Sequence, residues 1–467
     1  MKATYDFGLV GLGVMGRNFL LNVADHGFAV YGQDLDANKV DSLLKEKSSE
    51  HKLDASLKAE DLINALSRPR KVMMLVPAGE TVDKVIASIS PLLEAGDILI
   101  DGGNSFYHDT DRRESYLKEK GIHYLGVGIS GGSEGARFGP SIMPGGHRPA
   151  YEQVRPVLEA VAAKYDGDPC TAYLGQKSAG HYVKMVHNGI EYGLMQLISE
   201  TYGLLKTLGN YTDGQLHELF LEWNSGPLQS YLIEITAAIF TKPDPLGNGS
   251  LLDQILDKAR QKGTGKWTSQ NAMDLGVAVP SIDAAVRVRE ISAMKNLRTT
   301  AENTFGKPGS KAAPPQHLAE MAQSALLFGY ITTYAQGFHL LHHASVAYAY
   351  ELDLAAIAKI WRSGCIIRAA LLQDISRTFS KPKMPEHLML SPVFEKKVKE
   401  VLPYTREIVT LAAQQGTPMP GLFNSLAYFD ALTSAELPVN LIQAQRDFFG
   451  AHTYERKDRE GTFHTEW

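Results

Sequence analysis

The chain has 467 residues, more than one hydrophobic core usually supports, and its length therefore predicts at least two domains. A formal net charge of -5, with 21% charged and 44% hydrophobic residues, gives no electrostatic reason to expect a nucleic acid or a membrane surface as a partner. The two cysteines, Cys170 and Cys365, are too few for a disulfide framework and lack metal-ligand spacing, which favours a reducing compartment.

The amino-terminal stretch MKATYDFGLVGLG shows no charged leader followed by an apolar core and a cleavage site. No segment approaches the length of an apolar membrane span. We therefore expect a cytoplasmic protein without a membrane partner.

A glycine-rich turn follows the first predicted strand, residues 7–10. It has the G-x-G-x-x-G spacing, and a helical pattern comes directly after it. In that context glycines let the backbone approach a pyrophosphate at the positive end of the helix, although the spacing alone fits a structural turn equally well. The predicted dinucleotide-binding turn consists of Gly11, Leu12, Gly13, Val14, Met15 and Gly16.

The second predicted strand, residues 28–33, ends at two acids in the sequence AVYGQDLD. Asp34 comes eighteen residues after Gly16, where an acidic side chain can accept hydrogen bonds from the adenosine ribose hydroxyls. The glycine turn and Asp34 together predict a dinucleotide site, whereas the glycine spacing alone is a weak signal. The alternative is that Asp34 and Asp36 are solvated turn residues.

Three further apolar runs, at residues 71–76, 97–103 and 123–129, are separated by helix-length stretches, as a doubly wound parallel sheet requires. Ligands gather at the carboxyl ends of such strands. Taken alone, Asn104 is better explained as an ordinary turn residue. The polar or glycine-rich residues expected at that edge are Val76, Pro77, Ala78, Asn104, Ser130, Gly131 and Gly132. The first four of these are expected to contact the coenzyme.

Beyond about residue 176 the strand pattern stops, and long segments with helical periodicity predict an all-helical domain. This domain contains an internal repeat: MVHNGIEYGLMQLISETYGLL from Met185 aligns with MAQSALLFGYITTYAQGFHLL from Met321. With a two-residue insertion, the sequence WNSG at 223–226 aligns with WRSG at 361–364. A duplicated helical unit is the predicted cause.

The first copy carries a polar stripe, since Lys184, His187, Asn188 and Glu191 stand at spacings of three, four and seven residues on one helix face. Packing alone does not require the Lys, His and Glu, because the second copy lacks them. A solvated helix face is the alternative, but the glycine-rich approach SAGHYVKMVHNG favours a buried helix whose stripe lines a cavity. The equivalent residues of the second copy are Glu320, Gln323, Ser324 and Leu327.

A basic glycine loop, KARQKGTGKWTSQ at 258–270, lacks the full pattern of an ATP-binding loop. Lys262, Arg289 and Arg446 are candidates for gripping a substrate phosphate, although most arginines are simply solvated. The adjacent histidines His342 and His343 have no carboxylate or cysteine at ligand spacing, so no metal site is expected there.

With these motifs assembled, the chain resembles the 6-phosphogluconate dehydrogenase family over essentially its whole length. The resemblance is carried by GLGVMG, DGGNS, SGGSEGARFGPSIMPGG, GHYVKMVHNGIEYG, KGTGKW and QAQRDFFGAHTYER. It implies oxidative decarboxylation of 6-phospho-D-gluconate to D-ribulose 5-phosphate and carbon dioxide with reduction of NAD(P), in the pentose phosphate pathway. The expected organisation is an α/β Rossmann-type doubly wound domain (1–177), a large all-α domain with the internal helical repeat (178–435) and a C-terminal tail (436–467).

The resemblance also implies roles for individual residues. Lys184 would be the general base and Glu191 the general acid. In this family the tail threads into the other subunit, so Arg446 and His452 would complete the neighbour's site in a homodimer. The residues implied around the sugar acid are Asn104, Ser130, Gly131, Gly132, His187 and Asn188, and those implied at its phosphate are Tyr192, Lys262 and Arg289.

The chain departs from the family at the coenzyme pocket. Most members that use NADP read Asn-Arg-Thr where this chain has Asp34, Leu35 and Asp36, and they have a lysine where it has Pro77. Two cations that would face the 2′-phosphate are therefore missing, and Asp34 would repel it, so we expect NAD to be favoured over NADP. The alternative is that another group, such as Lys39, still holds that phosphate. No metal is expected.

Other interpretations stay open at this point. Another β-hydroxyacid dehydrogenase would share the glycine turn and a catalytic Lys and Asn, but such enzymes usually lack the repeat and the tail. A nucleotide-sugar dehydrogenase would need a nucleophilic cysteine in a glycine-rich loop, which neither cysteine provides. A non-enzymatic dinucleotide sensor would not require the polar stripe. A smaller departure, Ser133 where the family commonly has Glu, is expected to have little effect.

Overall fold

The computed structural model describes residues 5–306 and 315–467, so the first four residues of the amino-terminal stretch lie outside the described residues. The amino-terminal part is built on a seven-stranded sheet with strand order β3-β2-β1-β4-β5-β6-β7. Its strands are β1 (Phe7–Val10), β2 (Val30–Gln33), β3 (Leu53–Ser56), β4 (Lys71–Met74), β5 (Ile98–Asp101), β6 (His123–Ser130) and β7 (Ser141–Gly146).

The predicted Rossmann-type sheet is confirmed, with two strands that the sequence did not predict. Strands β1 to β6 pair in parallel, whereas β7 runs antiparallel to β6, with Ser141 opposite Ser130. Only residues 131–140 connect β6 to β7, and a parallel crossover needs a dozen or more residues. The five predicted strands thus pair in parallel as expected, and the unpredicted β7 adds an antiparallel strand at the edge. The short β3 and the proline- and glycine-containing β7 lack the apolar run that marked the other strands.

Helices cover both faces of this sheet. One face packs against α1, α2 and α7, and the other against α3, α4 and α5, each through an apolar cluster. A 3-10 turn at Ser90–Leu92 follows α4, and a small hairpin of β8 (Lys164–Tyr165) and β9 (Asp168–Pro169) ends the domain. The helices are α1 (Val14–Asp25), α2 (Ala37–Glu46), α3 (Ala59–Ala65), α4 (Glu80–Ile89), α5 (Tyr107–Lys118), α6 (Gly132–Phe138) and α7 (Arg148–Val161).

The larger carboxy-terminal part is helical, as predicted, around a single large apolar cluster. Two long helices, α8 and α15, pack side by side at its centre. Its helices are α8 (Ala179–Thr207), α9 (Asp213–Trp223), α10 (Tyr231–Phe240), α11 (Leu251–Gln254), α12 (Thr264–Asp274), α13 (Pro280–Ala293), α14 (Lys295–Phe305), α15 (Leu318–Ala347), α16 (Leu354–Ile360), α17 (Leu371–Phe379), α18 (Pro392–Gln414) and α19 (Pro420–Leu432), with a 3-10 turn at Leu388–Leu390.

The internal repeat is visible in how α8 and α15 contact each other. A β-carbon on Gly193 would lie 2.6 Å from Thr333, and one on Gly329 would lie 2.8 Å from Leu197. Gly329 and Thr333 are the repeat equivalents of Gly193 and Leu197, so the two close approaches exchange under an approximate twofold relation. Glycine is required at both because a side chain would separate the helices.

The tail folds on itself around one carboxylate. It contains α20 (Asn440–Gly450) and an antiparallel hairpin of β10 (Tyr454–Glu455) and β11 (Thr462–Phe463), strands that the sequence did not predict. Asp447, which is fully buried, accepts hydrogen bonds from the backbone of Thr453 and Thr465 and from the side chains of His464 and Trp467. The apolar side chains of Leu441, Ile442, Phe448 and Phe449 are more than half exposed.

Across the ranges 5–306 and 315–467, none of the helices combines the length and the apolar character that crossing a bilayer demands.

Candidate active site

The polar stripe of α8 lies against the carboxyl end of β6. A β-carbon on Gly128 of β6 would lie 2.4 Å from the β-carbon of Lys184, and one on Gly180 would lie 2.2 Å from the carbonyl oxygen of Gly126. The small residues of SAGHYVKMVHNG thus let the helix touch the sheet. Lys184 is 6% exposed and His187 is fully buried, so a solvated helix face is excluded.

Within the stripe, His187 is the centre of a polar cluster. Its Nε2 lies 3.2 Å from Ser130 Oγ, and its Nδ1 lies 3.0 Å from Asn188 Oδ1 and 3.3 Å from Lys184 Nζ. A carboxylate oxygen of Glu191 is 3.9 Å from the same Nδ1. The structure therefore brings together five predicted residues, four from α8 and one from the end of β6.

Burial shifts the pKa of each ionisable group in this cluster towards its neutral form. It lowers the pKa of Lys184, against the opposing charges of Glu191 and Cys365. It raises the pKa of Glu191, opposed by Lys184 and Arg289, and holds the pKa of His187 well below its usual range. An amine that can be neutral therefore lies beside a carboxyl that can be protonated, as a general base and a general acid require.

The loop that begins with Ser130 is supported by the second repeat copy, which sequence reasoning missed. The backbone N–H of Ile366 donates to Ser130 Oγ at 3.4 Å, and a β-carbon on Gly131 would lie 2.6 Å from the carbonyl oxygen of Gly364. The ring of Trp361 lies 5.5 Å from that of His187. The available signal was the WRSG motif at 361–364, which served above only to align the two copies of the repeat.

A buried carboxylate shapes the turn that carries Asn104. Asp101 accepts hydrogen bonds from the Gly103 N–H at 3.0 Å, from Ser105 Oγ at 2.6 Å and from the Tyr124 hydroxyl at 3.0 Å. These contacts leave Asn104 exposed beyond the end of β5. Asp101 is a residue that sequence reasoning passed over, although it opens the DGGNS motif.

The predicted phosphate ligands lie in two different places. The Arg289 guanidinium packs over the Tyr192 ring at 4.4 Å, and a β-carbon on Gly265 of α12 would lie 2.5 Å from that ring. Lys262 is exposed on the loop that leads into α12. The contacts of Arg446 and His452 lie within the tail, with Gln443 and Phe449 respectively.

The glycine turn fits a dinucleotide pyrophosphate. A β-carbon on Gly16 would lie 1.8 Å from the carbonyl oxygen of Gly11, whereas one on Gly13 would meet no atom within 4 Å. No side chain caps α1, so the N–H groups of its first turn face the space in front of Gly13. The exposed Pro77 and Ala78 follow β4 at the same edge, and Val76 lies against Gly11.

Asp34 ties the second strand to the glycine turn. It is 9% exposed, and its carboxylate accepts the Leu12 N–H at 2.8 Å and the Asp36 N–H at 3.0 Å. Lys39 Nζ lies 3.3 Å from both of its oxygens. Asp34 is therefore not a solvated residue. Asp36 is exposed and caps α2 through the Asn38 N–H, while Leu35 is 89% exposed.

The part of the chain that the structure describes contains no group of three or more His, Cys, Asp or Glu side chains able to hold a metal ion. The His342 and His343 rings are 5.9 Å apart and nearly perpendicular.

Two family models match consecutive parts of the chain. The model described as "6-phosphogluconate dehydrogenase, C-terminal domain" matches residues 180–467, and that described as "NAD binding domain of 6-phosphogluconate dehydrogenase" matches residues 6–175. The chain belongs to the 6-phosphogluconate dehydrogenase family. The boundary between the two matches, residues 176–179, falls at the start of α8, the helix that carries the polar stripe.

Relatives in this family match over almost the full chain. The "6-phosphogluconate dehydrogenase, NADP(+)-dependent, decarboxylating" of Bacillus subtilis (strain 168) is 50% identical, covering 99% of each chain. The "6-phosphogluconate dehydrogenase, decarboxylating" of Escherichia coli (strain K12) is 47% identical, again covering 99% of each.

A solved 6-phosphogluconate dehydrogenase, from Plasmodium falciparum, superposes with a TM-score of 0.96 and 45% identity. The match covers 99% of this chain and 100% of that one. That protein is described in its apo form, with its cofactor NADP+ and with its substrate 6-phosphogluconate. The family fold therefore extends over both parts of the chain and its tail.

Proposed function

We propose that this chain catalyses the oxidative decarboxylation of 6-phospho-D-gluconate to D-ribulose 5-phosphate and carbon dioxide, with reduction of NAD(P), in the pentose phosphate pathway. The observation that carries the proposal is the buried stripe of Lys184, His187, Asn188 and Glu191 facing Ser130, within a family whose relatives bear the decarboxylating name. A non-enzymatic sensor would not require the Lys184 amine, whose pKa is lowered, or the Glu191 carboxyl, whose pKa is raised.

In the proposed reaction Lys184, neutral in its buried position, accepts the proton of the substrate's 3-hydroxyl. The glycine turn and Asp34 would hold the NAD(P), whose nicotinamide would supply the oxidising power as the acceptor of the C3 hydride. The resulting β-keto acid loses its carboxylate as carbon dioxide, and protonated Lys184 stabilises the charge that develops on the C3 oxygen. Glu191, in its protonated form, donates a proton to C2 of the resulting enediol, the carbon that becomes C1 of ribulose 5-phosphate.

The remaining substrate ligands are proposed from the family resemblance. Around the sugar acid we place Asn104, Ser130, Gly131, Gly132, His187 and Asn188. The phosphate would lie near Tyr192, Lys262 and Arg289, where a guanidinium can bind it through two hydrogen bonds. The packing of Arg289 on the Tyr192 ring supports this, because it presents both side chains to the same space.

We further propose a cytoplasmic homodimer in which the tail (436–467) docks on the partner and its Arg446 and His452 complete the partner's site. The exposed apolar side chains of α20, including Phe448 and Phe449, support docking, since a monomer would leave them in water. The proposed domain limits are 1–177 for the dinucleotide domain and 178–435 for the helical domain.

For the coenzyme we propose that NAD is preferred. The Asp34 carboxylate is buried against the glycine turn, where it suits a ribose diol and would repel a 2′-phosphate. The exposed Leu35 and Pro77 offer that phosphate no charge. Lys39, named above as an alternative ligand of that phosphate, is paired with Asp34. Two relatives are named with NADP, so this preference would distinguish the chain from them.

Initial rates with 6-phosphogluconate and either NAD or NADP test both proposals, with carbon dioxide release measured alongside. Turnover with carbon dioxide release, and a higher kcat/KM with NAD, is the expected result. Asp34→Asn combined with Leu35→Arg should then shift the preference towards NADP. A higher wild-type kcat/KM with NADP would overturn the coenzyme assignment alone, whereas no turnover with either coenzyme would overturn the proposed reaction.

A further inference from the structure

One buried side-chain amide, that of Asn271 in α12, connects three tyrosine hydroxyls. Asn271 is 2% exposed. Its Nδ2 donates to the hydroxyls of Tyr107 at 2.8 Å and Tyr348 at 2.6 Å, and its Oδ1 accepts from the Tyr182 hydroxyl at 2.5 Å. Both amide protons and the amide oxygen are thus engaged. These four residues are called the tyrosine junction below.

Each member of the tyrosine junction belongs to a different element. Tyr107 opens α5 of the dinucleotide domain, Tyr182 lies in the first turn of α8, and Tyr348 immediately follows α15. The ring centroids are 5.1 Å apart for Tyr107 and Tyr182, and 5.7 Å apart for each of them and Tyr348. The amide of Asn271 therefore fixes the point where the dinucleotide domain contacts three helices of the helical domain.

The tyrosine junction is close in sequence to the segments that carry the site. Tyr107 comes three residues after Asn104, and Tyr182 comes two residues before Lys184. Beside the junction, the rings of Phe106 and Trp267 lie 4.9 Å apart, which joins the DGGNS turn to the KGTGKW segment. A shift at the junction would therefore move Asn104 relative to Lys184.

The chemistry of an amide explains why asparagine suits this position. A side-chain amide offers two donors and an acceptor in one plane, and all are used here. Leucine has a similar size but offers none, so it would leave three buried or partly buried hydroxyls without this partner. Such groups find new partners by moving, because an unsatisfied buried hydroxyl is costly.

We propose that Asn271 is a positioning residue for the decarboxylating reaction. By fixing Tyr107 against Tyr182, it sets how the Asn104 turn of the dinucleotide domain faces Lys184 on α8. This inference rests on the proposed function, because it assigns both segments to the substrate. Asn104 is also expected near the coenzyme, whereas Lys184 is assigned to the substrate alone, so losing these contacts should affect the substrate more than the coenzyme.

The test compares Asn271→Leu with the wild-type full chain, varying 6-phosphogluconate and coenzyme separately. We expect kcat/KM for 6-phosphogluconate to fall by about tenfold or more, because small displacements of reacting groups are costly, while the KM for coenzyme changes by a smaller factor than the KM for 6-phosphogluconate.

Gln336→Leu is the matched control. Gln336 is also a buried amide, which accepts the Ser281 N–H at 3.0 Å and donates to Ser281 Oγ at 2.9 Å, linking α15 to α13. It should lower the thermal midpoint without changing the KM for 6-phosphogluconate.

If Asn271→Leu does not fold, Tyr348→Phe, which removes a single hydroxyl, is compared with the wild type and with Gln336→Leu in its place. A raised KM for 6-phosphogluconate in this variant supports the inference, and an unchanged KM overturns it. In an active wild type, unaltered kinetics of Asn271→Leu, or an equal defect in Gln336→Leu, overturns the inference alone. A wild-type chain without turnover overturns the proposed function and this inference with it.

Discussion

The two copies of the helical repeat pack in the same way but contribute different residues to the site. In the first copy, α8 presents the buried Lys184 to β6, whereas the equivalent residue of α15, Glu320, is exposed and lies 3.4 Å from His317. For the loops, it is the second copy that contributes to the site, because its Gly364 contacts the Ser130 loop. The equivalent glycine of the first copy, Gly226, is not closely packed: a β-carbon there would have no neighbour nearer than 3.7 Å. Duplication supplied the packing, and contact with the sheet decided which copy carries which part of the site.

The two copies are also connected by hydrogen bonds, in which a side chain of each long helix caps the start of another helix. Glu200 of α8 accepts the N–H groups of Gly421 at 2.7 Å and Leu422 at 2.9 Å, at the start of α19. Its repeat equivalent in α15, Gln336, accepts the N–H of Ser281 at the start of α13. Each long helix thus caps a helix that follows the other. The difference is one of charge, and burial raises the pKa of Glu200 to about 7.

The largest expected effect concerns the base. Lys184→Ala should lower kcat by about 10²- to 10⁴-fold, the usual contribution of general acid–base catalysis. Glu320→Ala, at the equivalent position of the second copy, should leave kcat unchanged because its side chain is exposed. Rates are compared as a function of pH, since burial lowers the pKa of Lys184 and activity should be lost as pH falls through that value. Near-normal turnover of Lys184→Ala with an unaltered pH profile would remove Lys184 from this role.

A second pair contrasts the two loops. Gly364 has φ +66°, and a β-carbon there would lie 2.6 Å from Ala163 and from the Gly139 carbonyl oxygen. Gly364→Ala should therefore destabilise the fold by about 2–4 kcal/mol and lower kcat/KM for 6-phosphogluconate, because Gly364 contacts the Ser130 loop. Chemical denaturation and initial rates measure these effects. Gly226→Ala should change neither, and equal losses in both variants would contradict the division of tasks between the loops.

A third comparison uses the caps and their charge. The folded pKa of Glu200, about 7, lies above its ordinary value near 4.5, so its stabilising contribution is fully present below pH 4.5 and is lost as pH rises through 7. That loss amounts to about 3 kcal/mol. Glu200→Gln should remove this pH dependence in denaturation measured across the range, and Gln336→Glu should add a similar one. If the pH dependence of the wild-type stability persisted in Glu200→Gln, it would have to arise from other groups.

The smallest effects test the twofold contact between the helices. Gly193→Ala and Gly329→Ala should each cost about 1–3 kcal/mol, because each new methyl group meets a side chain of the other helix at 2.6 or 2.8 Å. Gly203→Ala in α8 is the control, since a β-carbon there would meet no atom within 4 Å. It should stabilise the chain by about 0.5–1 kcal/mol through helix propensity. The denaturation midpoints measure these effects. Unequal losses of stability in Gly193→Ala and Gly329→Ala would show that the two contacts are not equivalent.

Much of the fold was predictable because its signals are local. The glycine turn, the apolar strands and the change to helical periodicity after residue 176 each follow from neighbouring residues, and the structure confirms them. The strand β7 was missed because its sequence, SIMPGG, is irregular by itself and becomes a strand through pairing with β6. The hairpin β10–β11 was missed for the same reason, since it depends on Asp447.

The sequence by itself determined the family, the glycine turn, the repeat and the stripe of Lys184, His187, Asn188 and Glu191, because spacing along one helix is enough to place residues on one face. Only the tertiary structure decided that this stripe is buried, that Gly364 of the second copy supports Ser130, and that Asn271 joins three tyrosines. These contacts join residues tens to hundreds of positions apart. Such pairings leave no periodic signal in the chain, since they depend on how finished elements pack.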